Sequence, residues 1–360
     1  MSDNMLVAVV TGANRGIGKA IVRRLLLQTE KPVIVYLTAR NVARGQAAFD
    51  ELRREQLRVS DLMQQNELRF HQLDVADLDS ISVFVDYLVL MHGSQCIDIL
   101  INNAGGVVKR EENGNASAAA PTDTEPEPGP GPGPGPGPGP GPGPAAAATL
   151  TATATAMETP PEQVPDASPT EGGGAAAPRL VPVRTCDHDT AYKTVHMNYF
   201  TAVNMTTLAL PHMRRHGRVL FMVTALAHLG IFSGDLPKVL ASDDLDLTRL
   251  HIIENGFVSS VGKGSFSRYG FPPMPFAVAK AGLIAYSRML ARTDAETEDS
   301  RQLLFAAVCP GYVKTDMTGP YALLTPDQGA ETPVYVALAD DKRIRRHNGG
   351  LWKHFKPLKW

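Results

Sequence analysis

The sequence predicts a doubly wound α/β fold, in which helices cover both faces of one parallel β-sheet. Short apolar runs alternate along the chain with segments of helical periodicity. The runs are apolar throughout rather than at every second position, as expected for strands buried on both faces. With 360 residues, 43% of them hydrophobic, the chain has enough apolar material to fill a large core.

The apolar runs predict six strands in chain order. They lie at Leu6–Val10, Val33–Leu37, Leu68–Leu73, Ile97–Ile101, Val219–Val223 and Leu303–Val308. Four segments with helical periodicity lie between these strands, at Ile17–Leu27, Ile81–Met91, Val195–Leu210 and Ala277–Leu290. Strands joined by helices run parallel, so these elements are expected to build a single sheet.

A low-complexity segment interrupts this pattern between residues 109 and 184. It consists mainly of Gly, Pro, Ala, Thr and Glu, with an uninterrupted Gly-Pro repeat from Gly129 to Pro144. Such a composition cannot bury a core, and proline at every second position excludes a helix. We interpret residues 109–184 as a disordered loop inserted into one domain, which residues 1–108 and 185–360 form. The alternative is a proline-rich segment that docks a protein partner.

Charge and cysteine content limit the function further. The formal net charge of −2 provides no overall basic field for nucleic acid, and the basic C-terminal run, residues 353–360, is interpreted as a docked tail. The cysteines, Cys96, Cys186 and Cys309, lack the spacing of a disulfide framework or a zinc site. With neither a signal peptide nor an apolar span of membrane length in this sequence, we expect a cytoplasmic protein.

Two clusters of metal-ligand residue types are interpreted without a metal. The four residues 186–189 read Cys-Asp-His-Asp, but adjacent side chains cannot all face one tetrahedral ion, so a solvated loop end is expected. Asp243, Asp244 and Asp246 are better explained by the N-terminal turn of a helix. No metal site is therefore predicted.

A glycine-rich turn joins the first predicted strand to the first predicted helix. It reads Thr11-Gly12-Ala13-Asn14-Arg15-Gly16-Ile17-Gly18. Phosphate binding needs glycines where the backbone turns tightly and approaches the pyrophosphate, with a helix N-terminus aimed at the charge. Taken alone, the turn is also compatible with a packing role.

The G-x-x-x-G-x-G spacing resembles that of the short-chain dehydrogenase/reductase family. Asn102-Asn103-Ala104-Gly105, after the fourth predicted strand, resembles a second element of the same family. The resemblance implies a Rossmann-like nicotinamide site that includes Asn14, Ile17 and the glycines of the turn. Further cofactor contacts implied in this way fall on Asn103, Ala104, Gly105, Asp74, Pro310, Gly311, Val313 and Thr315.

The end of the second predicted strand distinguishes the two nicotinamide cofactors. An acidic residue there would accept from the ribose 2′-hydroxyl and repel a 2′-phosphate. The sequence has Arg40 instead, with Arg15 in the glycine turn as a second cation. Guanidinium groups bind phosphate well, so NADP(H) is expected rather than NAD(H).

A closer resemblance is to the monomeric carbonyl reductases of the family. It rests on Leu37–Arg40, on Arg44–Ala48, on Phe70–Asp74 and on Gly329–Tyr335. Residues 227–275 resemble the all-helical insertion that keeps those reductases monomeric, so a monomer is expected.

The resemblance also implies the catalytic positions, and two of them depart from the family. Lys280 and Asn198 match the lysine and the asparagine, whereas Thr224 replaces a serine and Phe276 replaces the tyrosine. Threonine keeps a hydroxyl, but a phenylalanine ring has no proton to give. Losing a positioned general acid costs about 10²–10⁴ in rate. Tyr269, seven residues before Phe276, is a candidate replacement donor.

These observations leave two principal hypotheses. The first is an NADPH-dependent oxidoreductase that reduces a small-molecule carbonyl compound (an aldehyde, ketone or quinone), with weakened or rerouted proton donation. The second is a catalytically inactive NADP(H)-binding protein with a binding or regulatory role. Asn198 and Lys280 favour the first, and Phe276 with Thr224 favours the second. A scaffold that binds no nucleotide is disfavoured by the glycine turn and Arg40.

Overall fold

A computed structural model describes residues 5–29, 31–58, 65–107, 186–340 and 342–360. In these ranges the chain forms an eight-stranded sheet of order β3-β2-β1-β4-β5-β6-β7-β8. The strands are β1 Leu6–Val10, β2 Val33–Ala39, β3 Glu67–Gln72, β4 Ile97–Asn102, β5 Met213–Met222, β6 Leu304–Val308, β7 Leu351–Lys353 and β8 Lys356–Leu358. All neighbouring pairs are parallel except β7 and β8. The predicted doubly wound sheet is confirmed, and the antiparallel β8 is an addition.

Helices cover both faces of the sheet. They are α1 Gly16–Gln28, α2 Val42–Gln56, α3 Leu78–His92, α4 His188–Val195, α5 Thr201–Ala209, α6 Leu236–Ala241, α7 Leu247–Gly262, α8 Pro275–Glu296, α9 Pro326–Leu338 and α10 Lys342–Arg346. Successive side chains of a strand point to opposite faces. Accordingly, Val7 and Val9 of β1 belong to one apolar cluster with α3, α5, α7 and α8. Ala8 and Val10 belong to another with α1, α2 and α9.

The helical segment predicted at Val195–Leu210 begins earlier and is not uniform. It starts with α4, where the Asp187 carboxylate accepts from the Thr190 N–H at 2.7 Å. A π-helical turn at His196–Phe200 then separates α4 from α5. The loop end predicted at residues 186–189 is therefore a helix start. The Asp246 carboxylate likewise caps α7, as predicted.

The C-terminal tail docks on the sheet, as predicted. β7 extends the sheet beside β6, and the indole N–H of Trp360 donates to the Ala227 carbonyl at 2.7 Å. Within the described ranges, no helix is both long and apolar enough to cross a membrane, and no group of three or more His, Cys, Asp or Glu residues is arranged to hold a metal. The low-complexity insertion predicted at 109–184 lies outside the described residues.

Candidate active site

The glycine turn and the segment after β4 meet at the carboxyl edge of the parallel strands. The Thr11 hydroxyl accepts from the backbone N–H groups of Asn103 and Ala104, at 3.0 Å each. In return, the Asn103 side-chain amide donates to the carbonyls of Thr11, at 2.9 Å, and Gly12, at 3.1 Å. These four hydrogen bonds fix one loop against the other where α/β sheets bind ligands.

Two glycines permit this close approach. Gly12 has φ +62°, and a Cβ atom there would lie 2.9 Å from the Ala104 Cα. A Cβ atom at Gly18 would overlap the Asn103 amide nitrogen and lie 2.8 Å from the Gly12 carbonyl oxygen. A larger residue at either position would force the two loops apart. Both glycines are thus required by geometry and not only by the motif.

The N-terminus of α1 lacks a side-chain cap. Its N-cap residue, Arg15, makes no capping hydrogen bond, and its first turn contains no acidic residue. Side-chain caps are present on α2, α3, α4, α7 and α9, from Asn41, Asp77, Asp187, Asp246 and Thr325. Uncapped N–H groups with a positive dipole end are the arrangement that binds phosphate.

The two arginines predicted to bind the 2′-phosphate differ in their surroundings. Arg40 follows β2 directly and is exposed. Arg15 forms an exposed ion pair with Asp316. Thr315, predicted as a cofactor contact, lies beside the turn, since a Cβ atom at Gly16 would be 3.5 Å from its Cγ2.

The other predicted cofactor contacts also follow strand ends. Asp74 follows β3 by two residues, and its carboxylate accepts from the Ala76 N–H at 3.0 Å. Gly311, after Pro310 and β6, has φ +87°. Val313 forms a parallel bridge with Leu324.

Lys280 is buried on the inner face of α8. It is 5% exposed, and burial lowers its pKa to about 7. Phe276 lies one turn earlier, with its ring centroid 5.5 Å from the Lys280 Nζ. A Cβ atom at Gly105 would lie 3.3 Å from that Nζ and 2.6 Å from the Asn198 Oδ1. The structure therefore brings Lys280, Phe276, Asn198 and Gly105 together.

Asn198 ties the π-helical turn to the loop after β4. Its amide nitrogen donates to the carbonyls of Gly106, at 2.6 Å, and Thr194, at 2.9 Å. Its Oδ1 accepts from the Gly106 N–H at 3.1 Å. One of these bonds stays within the helical segment, and the other two reach the backbone of Gly106. Asn198 therefore fixes the loop after β4, which contacts the Lys280 ammonium group.

Thr224 lies just beyond the end of β5. Its hydroxyl oxygen accepts from the Leu226 N–H at 3.2 Å, which leaves the hydroxyl hydrogen for an acceptor. The neighbouring Ala225 N–H donates to the Cys309 Sγ at 3.3 Å and thereby joins the ends of β5 and β6. Sequence patterns do not indicate this role of Cys309, because a lone buried cysteine has no motif.

Tyr269 lies in a short 3₁₀ helix, Phe266–Tyr269, and is 63% exposed. This exposure suits a ring with its hydroxyl in water, the ordinary behaviour of a loop tyrosine. Its role as a replacement donor stays a prediction.

The fold and this edge of the sheet define a nicotinamide-dependent dehydrogenase class. The short chain dehydrogenase family matches residues 6–125. Carbonyl reductase (NADPH) 1 from Pongo abelii is 32% identical over 340 residues, covering 94% of this chain and 92% of its own. Carbonyl reductase (NADPH) 3 from Homo sapiens is 33% identical over 341 residues, with the same coverage. The chain belongs to the short chain dehydrogenase family.

Solved structures share the fold. Salutaridine reductase from Papaver somniferum superposes with a TM-score of 0.65 at 21% identity, covering 97% of this chain and 99% of its own. Menthone neomenthol reductase from Mentha piperita gives 0.62 at 22% identity, covering 96% and 98%.

Proposed function

We propose that this protein is an NADPH-dependent oxidoreductase that reduces a carbonyl group on a small molecule. The observation that carries the proposal is the convergence of a buried lysine, Lys280, with Asn198 and Gly105 beside the glycine turn. The names of the two carbonyl reductases that it resembles supply the reaction class. Among the described residues Lys280 has no carboxylate partner. A buried lysine of this kind is costly to keep, and such groups concentrate at functional sites.

The residues present fit the cofactor. The uncapped end of α1 and the close-packed glycines suit a pyrophosphate, and Arg40 suits a 2′-phosphate. We assign the nicotinamide end to Pro310, Gly311, Val313 and Thr315, with Lys280 at the ribose. Asp74 is assigned to the adenine. When bound, NADPH supplies the hydride that reduces the carbonyl carbon.

Proton donation is assigned to Lys280. Phe276 cannot donate, so the alkoxide that develops during reduction needs another acid. With a pKa lowered to about 7 by burial, the Lys280 ammonium is a stronger acid than an ordinary lysine and is still substantially protonated near neutral pH. Its 5.5 Å distance from the Phe276 ring centroid is within the range of a cation–π contact, which favours the protonated form.

Thr224 is assigned to the carbonyl oxygen of the substrate. Its free hydroxyl hydrogen lets it donate to that oxygen, and a hydrogen bond there strengthens as negative charge develops.

We further propose that the protein is a cytoplasmic monomer. Three unpaired cysteines, Cys96, Cys186 and Cys309, suit a reducing compartment. Helix α7 packs on α4 and on α8, and the Glu254 carboxylate of α7 reaches the backbone of α8 at Gly282. These α4 and α8 surfaces are therefore covered within the chain, as a monomer requires.

The test is NADPH oxidation by the purified chain with quinones, aldehydes and ketones, run beside Lys280→Met. The proposal predicts slow turnover of at least one carbonyl class by the wild type and none by the variant. A wild type that binds NADPH tightly but reduces none of the panel would instead support the inactive NADP(H)-binding protein, the role that Phe276 favours. Failure to bind NADPH would exclude both.

A further inference from the structure

The amino-terminal edge of the parallel strands contains a large cavity, of about 1230 Å³. Leu6 of β1, Asp98 of β4 and Arg215 of β5 line it, as does Gln302 just before β6. Helices α1, α9 and α10 and the turn between β7 and β8 complete its wall. Because the strands are parallel, this edge is opposite the one that carries the glycine turn. The cavity is therefore separate from the candidate active site.

Three arginines of the wall, Arg215, Arg218 and Arg345, are oriented by the backbone. Each uses its Nη1 to donate to carbonyls, Arg215 to Ser300 at 3.1 Å, Arg218 to Val336 at 2.8 Å and Ala339 at 2.9 Å, and Arg345 to Gln302 at 3.2 Å. Hydrogen bonds of this kind fix the plane of a guanidinium and leave its other N–H groups for a further acceptor.

The wall only partly offsets the positive charge of these arginines, through Asp340. In the described part of the chain, none of the three forms an ion pair. Of the lining carboxylates, Asp98 is paired with Arg214 at 2.8 Å and Glu331 with Arg24 at 3.0 Å. Burial first, and then the positive charge of Arg345, lower the pKa of Arg218, while the exposed Asp340 opposes this shift. Two guanidinium groups thus repel each other across the cavity.

We propose that this cavity binds an amphipathic organic anion. Its carboxylate, sulfonate or phosphate lies between Arg218 and Arg345, whose planar forks suit such groups. Its apolar body lies against Leu6, Val334 and Phe355, which line the same space. The volume is above the roughly 300–1,000 Å³ of ordinary ligand pockets, so an organic molecule fits better than a bare inorganic ion.

A purely structural role accounts for only part of the arrangement. Arg218 holds the last carbonyls of α9, as basic side chains often do at helix C-termini. Arg215 and Arg345 hold loop carbonyls in the same way. Capping does not require three cations from separate elements to surround one cavity when none of them forms an ion pair among the described residues. An anionic ligand would relieve the repulsion that this arrangement creates.

The test is titration of the full-length chain with 8-anilino-1-naphthalenesulfonate, an aromatic sulfonate, with and without saturating NADPH. We expect saturable fluorescence that NADPH does not displace, because the two sites lie on opposite edges. Arg345→Gln should weaken this binding about tenfold to a hundredfold, and Arg345→Glu should abolish it. Arg218 is left intact, because it also supports α9.

Arg292→Gln is the matched control, since the Arg292 guanidinium also donates to a backbone carbonyl, that of Leu245 at 2.6 Å, but does not line the cavity. It should leave the affinity unchanged, and thermal unfolding should verify that each variant is folded. Decanoate should displace the dye, whereas 1-decanol, with the same chain and no charge, should displace it poorly. Equal affinity in the wild type and folded Arg345→Glu, or equal displacement by decanoate and decanol, would overturn the proposal.

Discussion

The glycine turn and the inner face of α8 lie at the same edge of the sheet but depend on different parts of the chain. In the turn, backbone geometry makes the site, since Gly12 and Gly18 let two loops approach and the N–H groups of α1 stay uncapped. On α8 the chemistry depends on individual side chains, Phe276 and Lys280. A backbone site is lost only when the loops that form it move, whereas a single side-chain substitution can remove an acid.

Placing a tyrosine at position 276 tests this difference most strongly. Phe276→Tyr places a hydroxyl one helical turn from Lys280, where a general acid is worth about 10²–10⁴ in rate. We expect kcat/KM for carbonyl reduction to rise by up to that factor, because Lys280 already supplies a proton in the wild type, with the Kd of NADPH unchanged. Steady-state kinetics and a binding titration measure both. If Phe276→Tyr leaves kcat/KM unchanged, proton donation does not limit the rate of carbonyl reduction.

Disrupting the turn should have the opposite pattern. In Gly12→Ala the new Cβ atom lies 2.9 Å from the Ala104 Cα, so the loops separate and the Kd of NADPH is expected to rise on the order of 100-fold. The matched control is Gly234→Ala, with φ +63° against +62° but nothing within 4 Å of its Cβ. Both variants carry the same left-handed strain of about 1–2 kcal/mol. Equal NADPH affinity in the two variants would contradict the close-approach argument.

Arg40→Asp tests what a single side chain contributes to cofactor preference at the nucleotide site. The change removes a cation and supplies a carboxylate that repels a 2′-phosphate. A charge-assisted hydrogen bond is worth about 1.5–3 kcal/mol, so the preference for NADPH over NADH should fall about 10-fold to 100-fold. Titration with both cofactors measures it. Arg44→Asp, one turn into α2, is the control, and an equal effect there would indicate a general charge effect instead.

Glu254 of α7 tests the buried contact between α7 and α8. The side chain is 1% exposed, neither carboxylate oxygen has a hydrogen-bond partner among the described residues, and burial raises its pKa well above its ordinary value near 4.5. The folded state therefore retains a proton that the unfolded state loses, so wild-type stability falls as pH rises above about 4.5. Glu254→Gln cannot ionise and should therefore be more stable than the wild type at pH 8.

Urea unfolding at pH 5 and pH 8 measures this gain, which should be smaller at pH 5. The control is Glu51→Gln, because the hydrogen bond from Lys19 lowers the pKa of Glu51 and its loss should act in the opposite direction. A gain for Glu254→Gln that is independent of pH would refute ionisation as the cause.

The sequence predicted those parts of the molecule that have a strong local pattern. Continuous apolar runs marked β1 to β6, and the glycine turn was recognisable from spacing. Helix α2 was missed, because its residues are mostly polar and only four of the fifteen are buried. The three-residue strands β7 and β8 are too short to produce a pattern, and they form only by pairing with β6 and with each other.

Within the site, the sequence predicted which residues come together on α8, but it did not predict the burial and hydrogen bonds of their side chains. The positions of Lys280 and Phe276 on one helix face follow from their spacing. The burial that lowers the pKa of Lys280, and the bonds from Asn198 to Gly106, depend on elements almost a hundred residues apart. No sequence pattern marks Glu254 as buried, and the packing of α7 on α8 buries it.

The most direct test of proton donation by Lys280 is the pH dependence of kcat/KM for carbonyl reduction by the wild-type chain. The range from about pH 5.5 to about pH 9 extends roughly 1.5–2 units to either side of the expected midpoint, which is enough to define one titration. A lysine acid with a pKa near 7 predicts a rate that is constant at low pH and falls tenfold per pH unit above about 7. A rate that stays level to pH 9 would contradict this assignment.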